Sequence, residues 1–172
     1  MRRVLLAAAS VASVSMLSAP AAAQAPGCTD AIYAGQDFTV GEWDVYNGDK
    51  KSAEVKMEKV LDGCAIHETW TVPQGKKGNG LGIFVYSSLL KGWSYLWASD
   101  TGATTSFIGQ IIKPGEIRYV TEKPLGEGKV RLRHWSLIQQ PDGRVRELSV
   151  GTEDGGATWT TEYDLYWVKK GA

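Results

Sequence analysis

Two predicted strands carry charged side chains on faces that are otherwise apolar or aromatic. Strict alternation along the first strand puts Glu68 on the same face as Trp70. Alternation along the second puts Arg133 on the same face as Arg131 and Trp135. A charged group that faces a protein interior needs an opposite charge or several hydrogen bonds. We therefore predict that Glu68 and Arg133 lie together in an internal cavity, near the two tryptophans.

Aromatic residues are abundant, with seven tryptophans and seven tyrosines. Alternation places two aromatic triplets each on one face of a strand, namely Trp93, Tyr95 and Trp97, and Trp159, Tyr163 and Trp167. Large rings with polar tips suit the binding of flat molecules, although ordinary core packing uses the same residues. The residues that we predict to contact a ligand are Glu68, Trp70, Tyr86, Trp97, Arg133, Trp135 and Tyr163.

The predicted pair of Glu68 and Arg133 is compatible with several functions. It could be an internal salt bridge with no ligand, or a polar anchor for the head of a small apolar or aromatic molecule. In an enzyme of the lyase or isomerase type, Glu68 would act as a general base, its pKa raised by burial and lowered by the arginine. A structural envelope protein, with a barrel filled by its own side chains, is a further alternative. We favour a binding protein over an enzyme.

No catalytic or metal-binding motif is present in the sequence. Both Gly-x-Ser-x-Gly and His-Glu-x-x-His are missing. The two histidines, His67 and His134, alternate with Glu68 and Trp135, so both imidazoles should point outward. We therefore predict no catalytic residue, no metal ion and no cofactor.

The elements that would position these side chains are short strands. Apolar and polar residues alternate in segments that are separated by turns rich in Gly, Asp, Asn and Pro. Consecutive hairpins of this kind form an antiparallel up-and-down meander, and closing it into a barrel removes both exposed edges. We predict an all-β barrel of about 8–10 strands, drawn from segments 38–46, 52–61, 65–72, 80–87, 93–98, 104–112, 116–122, 129–139, 144–150 and 158–168. A short helical turn is expected within 28–36.

Two further patterns predict structural roles. A Gly-x-Trp sequence opens the first strand, and the indole of Trp43 should plug one end of the barrel against a basic side chain such as Lys169 or Arg146. Near the C-terminus, Asp-Gly-Gly-Ala-Thr-Trp fits a hairpin turn in which the Asp154 carboxylate accepts backbone N–H groups and Trp159 packs beneath it.

The order of these motifs resembles that of a group of exported bacterial lipocalin-like proteins of unknown function. The shared pattern is an aromatic residue before Gly-x-Trp-x-Val, then Gly-Cys with Glu and Trp just after it, and finally Asp-Gly-Gly-x-Thr-Trp. In this chain the pattern is formed by Phe38, Gly41, Trp43, Val45, Gly63, Cys64, Glu68, Trp70 and residues 154–159. The resemblance implies a calycin barrel, as in lipocalins, fatty-acid-binding proteins and haem-binding nitrobindins, and hence small-ligand binding. Haem is not expected, because no inward histidine is predicted.

The N-terminus has the composition of a secretory signal peptide. A basic start is followed by an apolar, Ala-rich run that is too short to span a bilayer and then by small residues suited to cleavage after Ala23. Residues 24–172 would form a single domain, located in the periplasm or secreted. Basic and acidic residues both number 19, without long runs of one sign. We therefore expect a monomer that binds a small molecule, with no nucleic-acid partner and no membrane span.

The chain has only two cysteines, Cys28 and Cys64, and both lie beyond the predicted signal peptide. An even number of cysteines in an exported protein favours a disulfide. The bond would tie the N-terminal segment to the third strand. Lipidation of Cys28 and metal binding by two thiols are the alternatives, but the preceding residues form a poor lipidation signal and no Cys-x-x-Cys is present.

Overall fold

The fold is an antiparallel barrel in the computed structural model, which describes residues 28–171. Its ten strands are β1 (Gly41–Asn47), β2 (Lys50–Val60), β3 (Ala65–Thr71), β4 (Gly80–Ser87), β5 (Gly92–Ser99), β6 (Thr104–Lys113), β7 (Glu116–Gly126), β8 (Lys129–Gln139), β9 (Val145–Thr152) and β10 (Thr160–Lys169). Each strand pairs with its neighbours in sequence, and β1 pairs with β10 to close the sheet. The predicted all-β, up-and-down barrel is therefore confirmed. The predicted signal peptide, residues 1–23, lies outside the described residues.

Three short 3-10 helices accompany the strands: Ala31–Ala34, Asp37–Thr39 and Leu61–Gly63. The first of them confirms the helical turn expected near the N-terminus. Within residues 28–171, none of the helices has the length and apolar character that crossing a bilayer requires.

One end of the barrel, which we call the closed end, is filled by side chains. Trp43 is 2% exposed there, and its indole Nε1 donates a hydrogen bond to the carbonyl oxygen of Thr39 at 2.8 Å. The ammonium of Lys169 lies 5.6 Å from the centre of the Trp43 ring, within the range of a cation–π contact. Trp167 packs beside Trp43, with ring centres 6.4 Å apart. The structure thus places Trp43 at the base of the barrel.

The N-terminal segment covers the closed end and is held there by a disulfide. Cys28 and Cys64 are bonded, as predicted, across a separation of 36 residues. Farther along the segment, Gln36 is completely buried and accepts a hydrogen bond from the hydroxyl of Tyr119 at 2.5 Å. These contacts join the segment to strands on opposite sides of the barrel.

The other end, the open end, carries the turn between β9 and β10. Asp154 accepts hydrogen bonds there from the backbone N–H of Thr158 at 2.9 Å and from the hydroxyl of Thr152 at 2.6 Å. The hydroxyl of Thr158 donates to the same carboxylate. The carboxylate therefore replaces the backbone partners that the turn itself lacks.

A β-bulge in β10 corrects one expectation about the inner face. Tyr163 pairs with Ser149 and Thr161 with Val150, so one residue of β10, Glu162, is inserted without a partner of its own. Such a bulge reverses the alternation on one side of it. Trp159 is therefore not on the face shared by Tyr163 and Trp167. It is 38% exposed and stacks on His134, with ring centres 4.3 Å apart.

Candidate functional site

A cavity of about 300 Å³ occupies the half of the barrel nearest the open end. Six of the ten strands, β3, β5, β6, β8, β9 and β10, contribute side chains to its wall, and the turn between β5 and β6 contributes one more. Its lining consists of Glu68, Trp70, Tyr95, Trp97, Ala103, Thr105, Phe107, Arg133, Trp135, Glu147, Tyr163 and Leu165. The barrel is thus not filled by its own side chains, in contrast to the structural alternative that the sequence left open.

Six of the seven predicted ligand contacts line this cavity: Glu68, Trp70, Trp97, Arg133, Trp135 and Tyr163. The seventh, Tyr86, lies near the closed end, where its ring meets those of Tyr33 and Trp93 at 5.6 Å and 6.0 Å. Tyr86 packs against the core, so the prediction of the face was sound. Alternation gives the face of a strand but not the depth along the barrel, and depth separates Tyr86 from the cavity.

Glu68 is buried at the cavity floor, a term that we use for Glu68, Tyr95, Trp135 and Glu147. Its side chain is 2% exposed and accepts a hydrogen bond from the hydroxyl of Tyr95 at 2.6 Å. Burial raises the pKa of Glu68 to about 8, although the Tyr95 hydrogen bond opposes the shift. A neutral carboxyl therefore predominates at pH 7, and a modest change in environment would ionise it.

Glu147, which the sequence analysis missed, supplies a second carboxyl on the floor. It is 5% exposed and accepts hydrogen bonds from the indole N–H groups of Trp135 at 3.0 Å and Trp167 at 2.8 Å. Burial raises the pKa of Glu147 to about 6, against the effect of these two donors. Alternation in β9 was the available signal, because Glu147 lies between the buried residues Val145 and Ser149 on the inner face.

Arg133 lines the cavity but does not pair with Glu68, in contrast to our expectation. Its guanidinium lies 2.5 Å from a carboxylate oxygen of Glu162, and Arg131 binds the other oxygen at 2.8 Å. Arg131 also contacts Glu153 at 2.6 Å. The bulge in β10 explains the difference, because it turns Glu162 inward toward the arginines. We call these four residues the rim; their formal charges cancel.

Aromatic rings form most of the wall between floor and rim. Tyr95 and Trp135 have ring centres 4.9 Å apart, so the two floor carboxyls are held by adjacent rings. Glycines on the inner face of β4 make room for these side chains. A Cβ atom on Gly80 would lie 2.2 Å from the ring of Trp97, and one on Gly82 would lie 2.5 Å from Glu68 Oε2. The shape of the cavity wall therefore depends on two glycines of β4.

The wall has a gap beside the rim. Pairing between β6 and β7 ends at Ile108 and Val120, although both strands continue toward the open end. The part of β7 that pairs with β8 but not with β6 contains Pro124, a residue that strands tolerate where one side lacks a neighbour. A second depression follows this gap and shares Ala103, Thr105 and Arg133 with the cavity. The cavity is thus bordered by an opening between strands as well as by the open end.

Metal ligation is not evident in the part of the chain that the structure describes, since no three His, Cys, Asp or Glu side chains are grouped as metal ligands there. His134 is on the outer side, against Trp159. Comparison with known proteins finds no match to this chain, either among protein-family models or among curated proteins.

Proposed function

We propose that this protein is an exported binding protein that holds a small apolar or aromatic molecule inside its barrel. The observation that carries the proposal is the cavity of about 300 Å³, walled mainly by aromatic side chains and provided with a few polar groups. Small-ligand sites typically have volumes of about 300–1,000 Å³, apolar walls and a small number of polar groups that orient the ligand. The cavity is at the lower end of that range, which favours a small ligand of no more than about three rings.

Aromatic residues make up half of the cavity lining, and three of them retain partial exposure toward the interior: Trp70, Trp97 and Tyr163. Rings at such positions lose contact with water when a flat molecule enters, and this burial favours binding. A core needed only for stability would be closed by packing, as it is at the other end of the barrel.

Fluorescence titration with the neutral dye N-phenyl-1-naphthylamine tests the proposal. We expect saturable binding with quenching of tryptophan emission, weakened about tenfold or more by Trp97→Ala, which removes a ring from the wall. Trp159→Ala is the matched control, because this indole stacks on His134 outside the cavity. Binding that is absent, or equally weakened by the two substitutions, would contradict the proposal.

A second candidate function, an enzyme of the lyase or isomerase type, is favoured by one observation. Glu68 and Glu147 are both buried in the cavity, and their surroundings hold their pKa values at about 8 and about 6. Two carboxyls with separated pKa values can serve as acid and base in one site. An activity that follows a bell-shaped pH profile and disappears in Glu68→Gln would support the enzyme. Turnover unaffected by that substitution would exclude this mechanism.

Export is the part of the proposal that rests on the N-terminal sequence and the disulfide. Disulfides persist mainly in oxidising compartments, and the Cys28–Cys64 bond fits such a location. Expression of the full chain in a bacterium, followed by N-terminal sequencing of the fraction outside the cytoplasm, should find Gln24 as the first residue. Recovery of the uncleaved chain in the cytoplasm would contradict export.

A further inference from the structure

We propose that the cavity selects an organic cation, a molecule whose apolar or aromatic body carries a protonated nitrogen that binds between Glu68 and Glu147. The inference deepens the proposed function and rests on it. It replaces the anchor that the sequence suggested, in which Glu68 and Arg133 together would hold the polar head of the ligand. Two features of residues 28–171 lead to it: the distribution of charge between rim and floor, and the aromatic wall.

Charge is distributed unevenly between the rim and the floor. At the rim, the two arginines and two glutamates neutralise one another through contacts of 2.5–2.8 Å. At the floor, Glu68 and Glu147 receive only neutral donors, the hydroxyl of Tyr95 and two indole N–H groups. Within residues 28–171, neither floor carboxyl has an ion-pair partner from the protein. A cation brought by the ligand would supply the missing partner.

The aromatic wall favours the same class of ligand. A cation close to the face of a Trp or Tyr ring is attracted by the negative charge of the π-electrons, and the attraction is stronger where water is excluded. Trp70, Trp97, Trp135 and Tyr163 all border the space above the floor. An anionic ligand would meet these rings and two carboxyls, and it would have to compete with Glu162 for Arg133.

Protons and an organic cation should compete for the floor. The groups that face the two carboxyls from the surrounding strands are Tyr95, Tyr119, Trp135, Tyr163, Trp167 and, at the rim, Arg133 with Glu162. The tyrosines have pKa values raised well above the ordinary value by burial, so they stay neutral at physiological pH. Affinity for a cation should therefore increase with pH as Glu147 and then Glu68 lose their protons, and binding should release protons near pH 7.

Isothermal titration calorimetry with three indoles that differ only in their side-chain head group tests the inference. Tryptamine carries an ammonium, tryptophol a hydroxyl and indole-3-propionate a carboxylate. At about pH 8.5 we expect tryptamine to bind at least about tenfold more tightly than tryptophol, and indole-3-propionate to bind least tightly. Between about pH 6 and about pH 8.5 the affinity for tryptamine should rise about tenfold or more, whereas that for tryptophol should stay nearly constant.

Substitutions at the floor test whether Glu68 and Glu147 cause the preference for the ammonium group. Glu68→Gln and Glu147→Gln should each reduce the affinity for tryptamine about tenfold and leave that for tryptophol within about twofold. Glu58→Gln, at an exposed glutamate of β2 that pairs with Lys56, is the matched control and should not weaken tryptamine binding. Near-ultraviolet circular dichroism establishes that each variant is folded. If a floor variant does not fold, the head-group comparison and the pH dependence of the unmodified protein decide the question.

Two outcomes would overturn the inference. One is tighter or equal binding of tryptophol or indole-3-propionate, and the other is no binding of tryptamine. In either case, continued binding of N-phenyl-1-naphthylamine would mean that only the charge assignment has failed. Loss of dye binding as well would mean that the cavity is not a ligand site and that the proposed function has failed with it.

Discussion

Individual residues at the cavity floor have environments that neighbouring residues in the sequence do not reveal. Glu68 was expected to meet an arginine, yet its hydrogen-bond partner is Tyr95, 27 residues away. Glu147 is held by indole N–H groups from two other strands. The protein therefore keeps two carboxyls buried with neutral donors. This arrangement makes their protonation depend strongly on burial.

Stability should fall with increasing pH because of Glu68. Its pKa rises from an ordinary 4.5 in the unfolded chain to about 8 in the folded protein. Between these values the unfolded chain has released the proton and the folded protein retains it, so the free energy of unfolding decreases as pH rises. Glu68 contributes roughly 3–5 kcal/mol to the free energy of unfolding. This contribution is fully present below about pH 4.5 and is lost by about pH 8.

Urea denaturation of the unmodified protein and of Glu68→Gln across this pH range measures that share. Glutamine does not titrate, so the variant should gain stability relative to the unmodified protein as pH rises. A difference between the two proteins that is independent of pH would show that Glu68 keeps an ordinary pKa in the folded state.

Strand β4 shows how one element shapes the cavity. Its inner face carries Gly80 and Gly82 at the level of the cavity and Phe84 at the level of the core. The two glycines receive Trp97, Tyr95 and Glu68 from neighbouring strands. In β10, a single inserted residue turns Glu162 toward the arginines. Small residues and one bulge, rather than large side chains, thus decide where the polar groups lie.

Replacing Gly80 should weaken ligand binding as well as lower the stability of the fold. In Gly80→Ala the new Cβ would overlap the ring of Trp97, which must move into the cavity. We expect a loss of roughly 1–3 kcal/mol in stability and about tenfold weaker dye binding. Gly109→Ala is the matched control: its Cβ would meet Tyr119 at 2.3 Å, outside the cavity lining. Equal effects of the two substitutions on the dye affinity would argue against a wall shaped by Gly80.

The turn between β9 and β10 should be sensitive to loss of its carboxylate. Asp154→Ala removes the acceptor for the Thr158 N–H and for two hydroxyls, which should lower the midpoint of chemical denaturation. Thr158→Ser keeps the hydroxyl donor and should cost much less. Similar losses in both variants would show that the carboxylate is not what stabilises the turn.

The whole molecule is packed differently at the two ends of the barrel axis. The closed end contains the large packed rings, the buried Gln36 and the disulfide. The open end contains the cavity, the rim and the gap between β6 and β7. Packing at one end can stabilise the barrel while the other end stays open. A protein built in this way can bind a ligand without first rearranging its core.

The disulfide should therefore contribute to stability and not to binding. The double substitution Cys28→Ser and Cys64→Ser frees a loop of 36 residues, which should cost roughly 3–4 kcal/mol in the chain-entropy model. Thermal unfolding of the variant, compared with that of the oxidised protein, measures the loss. Dye affinity at a temperature where the variant is folded should stay within about twofold of the original, and a large loss of affinity would contradict this division.

Much of the barrel and part of the site could be predicted from local patterns. Alternation identified all ten strands, and turn residues identified their connections. It also assigned six cavity residues to the correct face. Tyr86 was misplaced because alternation does not give depth, and the partner of Arg133 was misassigned because a bulge has no simple sequence signal. Glu147 was missed because a single acidic residue in a strand more often faces water.

The sequence by itself determined the strands, their order, the face of most side chains and the pairing of the only two cysteines, because these depend on local alternation and on composition. Only the tertiary structure decided which inward residues share one level of the barrel. Levels are set by the stagger between strands and by the bulge in β10, and both depend on hydrogen bonds between residues far apart in the chain. For this reason the two carboxyls at the floor, and the neutralised arginines at the rim, became visible only in the folded barrel.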